Sequence, residues 1–298
     1  MEKINGKIIV NPFKCPGQSI KQAERLKEEF EKLKVEVEIV CDGYNRLSLD
    51  GENLSLSFAN ADFVIFLDKD KYLALAIEKF NIRMFNQANQ IFDCDDKGQT
   101  CIKLSNLGVK MPKTLFAPVC YLQNNKLLPD FINRVEDYIG YPVIIKKAYG
   151  SMGNGVFKAD NKEELVFLME SIKTQPHIFQ EYLGKNYGTD IRVIVLGKKA
   201  VALMKRVNQN DFRSNIGQGG YGEKIDLNDE YYKPYIECAE KVARLLNMDY
   251  CGVDLLADND NNPTVCEVNS NAFFEGIESV TKVNIAKLYA QFVIENIK

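Results

Sequence analysis

Asp254, Glu267 and Asn269 are the residues of this chain whose types and spacing point most directly to chemistry. Asp254 interrupts the apolar run Cys251-Gly252-Val253-Asp254-Leu255-Leu256, and the other two interrupt Thr264-Val265-Cys266-Glu267-Val268-Asn269. Between the runs, Asp258-Asn259-Asp260-Asn261-Asn262-Pro263 is a cluster of turn formers, so the pattern predicts a β-hairpin. Positions 254 and 267 are equidistant from its midpoint between 260 and 261. A regular hairpin sets them opposite each other, with Cβ atoms about 4.5–5.5 Å apart, where like charges are destabilising. Asn269 shares their face. Two carboxylates and an amide oxygen converging in this way call for a cation, and an all-oxygen set suits Mg²⁺, which takes one or two carboxylates plus substrate phosphates. The alternative is a pair of unrelated acids on a solvated edge.

Two glycine-rich loops could handle phosphate. Gly150-Ser151-Met152-Gly153-Asn154-Gly155 joins the strand ending at Lys146 to the strand Val156–Lys158. A P-loop joins strand to helix and carries Gly-Lys-Ser/Thr, which is absent here. Glycines let backbone N–H groups approach an anion, and a nearby lysine supplies point charge. Lys146 ends a buried apolar strand and needs a partner; a snorkelling lysine beside a plain flexible turn is the competing reading. The second loop, Gly217-Gln218-Gly219-Gly220-Tyr221-Gly222, follows Lys205-Arg206 and Asp211-Phe212-Arg213-Ser214-Asn215. Arginine binds carboxylates and phosphates bidentately, and a solvated basic loop is the alternative.

The elements that must hold these residues alternate. Strands are predicted at Lys7–Val10, Val35–Val40 and Phe63–Leu67, with helices on the periodic run Ile20 to Leu33 and at Tyr72–Phe80. This alternation through about residue 95 predicts a small open α/β domain. No Gly-x-Gly-x-x-Gly follows the first strand, so a Rossmann cofactor site is not supported. A helix is predicted over Asp95–Leu107, then strands at Lys113–Ala117 and Tyr141–Lys146, with loop from Leu122 to Pro129. Asp160-Asn161-Lys162-Glu163 reads as a capping box opening a helix to about Lys173. Ile178–Leu183 is a strand, and Arg192–Leu196 with Ala200–Lys205 is a hairpin turning at Gly197. Tyr231–Leu246 is a long amphipathic helix, and Ile285 to Val293 is the last one.

At 298 residues, 46% hydrophobic and 27% charged, the chain can bury a sizeable core. Its net charge of -3 gives no global reason to expect nucleic acid. Neither a signal peptide nor an apolar run of membrane-spanning length is seen. The eight cysteines form no Cys-x-x-Cys and read as buried thiols of a reducing cytoplasm. The single histidine, His177, reads as structural. It leaves no basis for a histidine-based triad.

Taken together, these segments resemble the ATP-grasp superfamily and, within it, the RimK-type α-L-glutamate ligases. The likeness is carried by Phe179-Gln180-Glu181-Tyr182-Leu183, Gly188-Thr189-Asp190-Ile191-Arg192, Asp211-Phe212-Arg213-Ser214-Asn215, Gly252-Val253-Asp254, and Glu267-Val268-Asn269 followed by Glu275-Gly276-Ile277-Glu278. It covers about residues 95–298. It implies an α/β (α+β) ATP-grasp fold: an N-terminal open α/β domain over 1–95, a central subdomain with the glycine-rich phosphate loop over 96–184, and a C-terminal subdomain with the Mg²⁺ site over 185–298. The implied reaction is carboxylate–amine ligation. ATP phosphorylates a carboxylate, and an amine displaces phosphate from the acyl phosphate to give an amide. Carried over by position, Lys97 and Lys146 hold the ATP phosphates under the loop Gly150, Ser151, Gly153 and Gly155. Glu181, with the backbone of Tyr182 and Leu183, reads adenine, and Asp190 reads ribose. Asp254, Glu267 and Asn269 hold two Mg²⁺, or Mn²⁺ in their place. Arg213 is implied as catalytic, with Arg192 and Lys205 nearby. This suits phosphoryl transfer, which needs positioning and electrostatics more than a protein nucleophile.

One departure concerns substrates. Where many family members continue Ala-Ser-Pro-Gly after the asparagine, this chain reads Ser270-Asn271-Ala272-Phe273-Phe274. The acid is therefore left open as a small molecule or a peptide, with an amino acid such as glutamate as the amine. No nucleic acid or membrane partner is expected, and a homo-oligomer is compatible with the sequence. The competing readings are a phosphotransferase on the same fold and a non-catalytic ATP-binding module.

Overall fold

A computed structural model describes residues 4–14, 17–41 and 46–297. The first third is a parallel sheet. Strands β1 (Asn5–Val10), β2 (Glu36–Val40), β5 (Phe63–Leu67) and β6 (Arg83–Phe85) lie in the order β2-β1-β5-β6. Helix α1 (Gln18–Lys32) crosses from β1 to β2 and α2 (Lys71–Lys79) from β5 to β6. Continuous apolar runs such as Phe63–Leu67, buried at every position, are what a sheet covered on both faces requires. A small hairpin, β3 (Leu47–Asp50) with β4 (Asn53–Leu56), was not anticipated, although its two four-residue strands alternate leucine with polar residues about the Asp50-Gly51 turn.

The expected single helix over Asp95–Leu107 is two: α3 (Ala88–Asp95) and α4 (Lys97–Leu104). Asp96 breaks them apart by capping the second, its side chain accepting from the Gln99 N–H at 3.1 Å. The middle sheet is antiparallel, in the order β7-β10-β8-β9, from β7 (Thr114–Phe116), β8 (Val143–Lys147), β9 (Val156–Ala159) and β10 (His177–Glu181). Helices α5 (Pro129–Ile139) and α6 (Lys162–Ile172) cover one face through Ile132, Val135, Leu165 and Met169. Helix α5 was missed, although Pro129 stands at its start where proline is tolerated. The N-cap lies one residue later than expected, and the return bond goes to the residue before it rather than closing a capping box. Asn161 accepts from Glu164 N–H at 3.0 Å, and Glu164 reaches back to Asp160 N–H at 2.9 Å.

The third sheet, β13-β12-β11-β14-β15, comprises β11 (Thr189–Leu196), β12 (Lys199–Val207), β13 (Tyr221–Lys224), β14 (Tyr250–Ala257) and β15 (Pro263–Asn269). The β11–β12 hairpin turns at Gly197-Lys198, both with positive φ (54° and 70°), as a twist-matched two-residue turn requires. Helix α7 (Lys233–Leu245) packs on one face through Tyr235, Ala239, Val242 and Ala243. The other face joins the first third. Phe30, Phe63 and Phe85 share a core with Ile194, Met204 and Tyr250, closed by α8 (Glu275–Thr281) and α9 (Ile285–Glu295). The first and last thirds are thus held by one apolar core.

Cys94, Cys101, Cys120, Cys238, Cys251 and Cys266 are free thiols. Cys41 is disulfide-bonded, which corrects the all-thiol reading; Cys15 lies outside the described residues. His177 is buried against Phe179 at 5.1 Å between ring centroids, its Nδ1 at 2.7 Å from the Gln175 carbonyl. Burial holds its pKa below the ordinary value. Among the described residues no helix is long and apolar enough to cross a membrane.

Candidate active site

The predicted hairpin is β14–β15, and Asp254 pairs with Glu267 across it. The register gets there by a different route from the regular one. Leu255 pairs with Val265, so Cys266 is an extra residue, and this bulge restores the pairing of Asp254 with Glu267 and of Gly252 with Asn269. Asn269 Nδ2 lies 3.4 Å from Asp254 Oδ2.

The like-charge conflict read from the sequence is relieved by protein cations. Arg192, the cross-strand neighbour of Asp254 on β11, donates from Nε to Asp254 Oδ1 and from Nη2 to Oδ2, both at 2.7 Å. Arg206 Nη2 is 2.9 Å from Asp254 Oδ2, and the same guanidinium forks onto Asp190, with Nε to Oδ1 at 2.7 Å. Burial pushes the Asp254 pKa up, but Arg192 and Arg206 outweigh it and hold the carboxyl below its ordinary value. Glu267, a quarter exposed, pairs with Lys97 Nζ at 3.2 Å. Lys97 also donates to the Gly150 carbonyl at 3.1 Å, at the start of the first glycine-rich loop.

Strand alternation decides which member of Lys205-Arg206 serves the site. Arg206 pairs with Asp190 and shares its face, whereas Lys205 pairs with Ile191 on the other face and reaches Glu223 at 3.7 Å. The sequence reading took Lys205 and overlooked Arg206. The signal was not local: counted from the two-residue turn, Lys205 would stand opposite Asp190, and only the extra residue Val201, a bulge between the Val195–Ala200 and Ile194–Ala202 pairs, puts Arg206 there. Asp190, read as the ribose contact, is committed to Arg206.

Lys146 is buried at the end of β8, and its ammonium reaches the Cys266 sulfur at 3.5 Å. Burial would lower its pKa; Cys266 and Glu267 outweigh that and raise it. The bulge that sets the Glu267 register therefore also turns a thiol toward the lysine. The two glycine-rich loops touch. Arg213 is held by Asp211 at 2.7 Å and donates from Nη1 to the Gly153 carbonyl at 3.1 Å, and Gln218 Nε2 donates to the Met152 carbonyl at 3.2 Å. Gly153 has φ +78°, and a Cβ there would stand 2.9 Å from Asn215 Oδ1, so this contact requires glycine.

These residues line a cleft between the middle and last sheets. Lys97, Lys146, Gly153, Glu181, Tyr182, Leu183, Asp190, Arg213, Asp254 and Glu267 all face it. Glu181 Oε1 accepts from the Lys113 N–H at 2.8 Å. Beside it Gln180 is 3% exposed, and its Oε1 has no hydrogen-bond partner. A second cavity opens between the first and last thirds, lined by Ser151, Arg192, Glu267, Asn269 and, from the N-terminal third, Asn11, Asp68 and Lys69. Glu267 lines both cavities. The three N-terminal residues carry no motif, and only folding brings them to the site.

The comparisons with known proteins agree with this geometry. A model of the RimK-like ATP-grasp domain matches residues 94–293. The chain belongs to the RimK-like ATP-grasp family. It is 30% identical over 296 residues to a probable alpha-L-glutamate ligase 2 of Pseudoalteromonas atlantica, covering 95% of this chain and 94% of that protein. It is 30% identical over 229 residues to human N-acetylaspartylglutamate synthase A, covering 76% of this chain and 56% of the synthase. Among solved structures, D-alanine–D-alanine ligase from Bacillus anthracis superposes with a TM-score of 0.74 at 16% identity, covering 99% of this chain and 97% of that one, a likeness of fold. This RimK-like protein is an ATP-dependent carboxylate–amine ligase.

Proposed function

We propose that the cleft binds Mg²⁺–ATP, that the second cavity binds the acid to be activated, and that glutamate is the incoming amine. The observation that carries this is Glu267, which lines both cavities and pairs with Lys97 at 3.2 Å. A phosphoryl group passing from a nucleotide in one cavity to a carboxylate in the other crosses at this residue. Glutamate is supported by the names of both relatives.

The residues present fit the nucleotide and the metal. Lys97 and Lys146 offer two ammonium groups, Gly150, Ser151, Gly153 and Gly155 form the covering loop, and the unmet Oε1 of Gln180 is an acceptor for an amino group of the base. Tyr182, Leu183 and Glu181 stand beside it, and Asp190 faces a ribose with lone pairs left by Arg206. Glu267 and Asn269 would hold the metal nearest the junction, and Asp254, whose two oxygens accept from Arg192, would have to share them. When bound, two Mg²⁺, or Mn²⁺, neutralise phosphate charge. Arg213 stabilises charge on the transferring group, and Arg192 orients Asp254. Lys205 is left without a role in this scheme. A cytoplasmic location rests on six free thiols against one disulfide-bonded cysteine among the described residues, and a homo-oligomer is part of the proposal.

The deciding experiment incubates the protein with ATP, Mg²⁺, glutamate and a panel of acids, reading ADP and the mass of the condensed product. ADP formation that ignores the amine would mark a phosphotransferase, and ATP binding without turnover a binding module. Two further outcomes follow from the cleft. ATP analogue with Mg²⁺ at 100 times its Kd should add about 2.7 kcal/mol of stability; a thermal-shift assay that responds to NAD but not to the analogue would remove the nucleotide assignment. Lys146→Met keeps the strand apolar and should weaken ATP binding by about 1.5–3 kcal/mol, the worth of a charged hydrogen bond. Unchanged affinity by calorimetry would leave Lys146 as a buried lysine serving only Cys266.

A further inference from the structure

The second cavity has a charge pattern that bears on which acid it accepts. Its two lining cations are already committed. Arg192 grips Asp254 through two bonds of 2.7 Å, and Lys69 is paired with Asp95. Two other lining side chains are not satisfied. Gln22 on α1 is 5% exposed, and neither its Oε1 nor its Nε2 has a hydrogen-bond partner. Asp68, just past β5, is 6% exposed. Its Oδ1 accepts from Asn11 Nδ2 at 3.0 Å and from the Lys69 N–H at 2.7 Å. Its Oδ2 accepts no hydrogen bond, with Arg46 Nη1 3.9 Å away. Buried polar groups left unmet are costly, so their presence in a substrate cavity implies a visiting partner.

We propose that Asp68 and Gln22 form a recognition site for the ammonium group of the acid substrate. The acid activated is then an α-amino acid or a peptide with a free amino end, not a polycarboxylate that lacks one. This rests on the reading of the second cavity as the acid site. An ammonium carries three donors and no acceptor, and Asp68 Oδ2 with Gln22 Oε1 supplies two acceptors, one of them charged. A di- or tricarboxylate would instead bring negative charge beside Asp68 and Glu267, with no uncommitted cation among the described lining residues to receive it. Such unpaired like charge is how a site rejects a wrong substrate.

The test is equilibrium binding to the full chain with Mg²⁺, a non-hydrolysable ATP analogue and saturating glutamate, which fills the amine site. The probes are aspartate and glutamyl-glutamate, each with a free and an Nα-acetylated amino group, together with citrate. At least one free form should bind about tenfold or more tighter than its acetylated counterpart and than citrate, as a charge-assisted hydrogen bond gives. Asp68→Asn should remove most of that ratio and Gln22→Leu should narrow it, while both variants bind the ATP analogue as the unaltered protein does. Gln22→Leu carries the test alone if Asp68→Asn fails to fold. Equal or tighter binding of the acetylated forms or citrate, binding of none of the probes, or an unchanged ratio in the variants overturns the proposal. ADP release is scored separately: a protein that ligates but does not discriminate by amino group loses the ammonium site and keeps the ligase reading.

Discussion

Glu267→Gln is expected to lower turnover by about a hundredfold or more while leaving the apo protein folded, because it removes the carboxylate proposed to hold metal at the junction of the two cavities. The sequence alone implied that relieving a like-charge pair would also stabilise the apo fold. The structure changes that part. Asp254 is already neutralised by Arg192 and Arg206, and Glu267 is paired with the buried Lys97. The variant loses an ion pair, and its apo stability should fall slightly, by up to about 1 kcal/mol, since the Glu267 side is partly solvated. Turnover and apo melting, each with and without Mg²⁺, measure both halves. Near-normal activity would sink the metal site.

Arg206→Met should cost about 3–5 kcal/mol of folding stability, the largest structural effect expected from a single polar change in the site. Arg206 is buried with Asp190 on one side of its guanidinium and Asp254 on the other, and removing it strands the buried Asp190 and leaves Asp254 to Arg192 alone. The acid response has a definite sign. Asp254 has a depressed pKa in the fold, so its contribution is present above the ordinary carboxylate value of about 3.9 and is lost as pH falls through the depressed value. Losing Arg206 raises that value, so the stability advantage of the unaltered protein over the variant should shrink below about pH 4. Denaturant melts of the apo protein at neutral pH and at pH 3–4 measure this. A loss under about 1 kcal/mol at neutral pH would show that the network is solvated rather than buried.

Adjacent residues on a strand cannot serve one face. That rule made Asp254, Glu267 and Asn269 legible as a set; choosing Arg206 over Lys205 also needed the bulge at Val201, which no local pattern announced. Strands could be seen where apolar runs were long, as at Phe63–Leu67. The β3–β4 hairpin and α5 were missed although both carry a pattern: leucines alternate about Asp50-Gly51, and Ile132, Val135 and Ile139 recur at helical spacing after Pro129. The shift of the N-cap from Asp160 to Asn161 is the one-residue uncertainty that attends helix ends.

The sequence by itself determined which side chains stand in short motifs, with lysine at a strand end, glycines in a loop, and carboxylate and amide two residues apart, and through them the family resemblance that implied ligase chemistry. Only the tertiary structure decided how those charges are balanced and what stands opposite them. Arg192 and Arg206 reach Asp254 from neighbouring strands, and Lys97 reaches Glu267 from a helix 170 positions away in the chain. Gln22 and Asp68 enter the second cavity from the first third, through a core shared with the last. Burial and counter-charge belong to the packed surroundings of a residue. For these side chains the surroundings are assembled from segments that no local pattern connects.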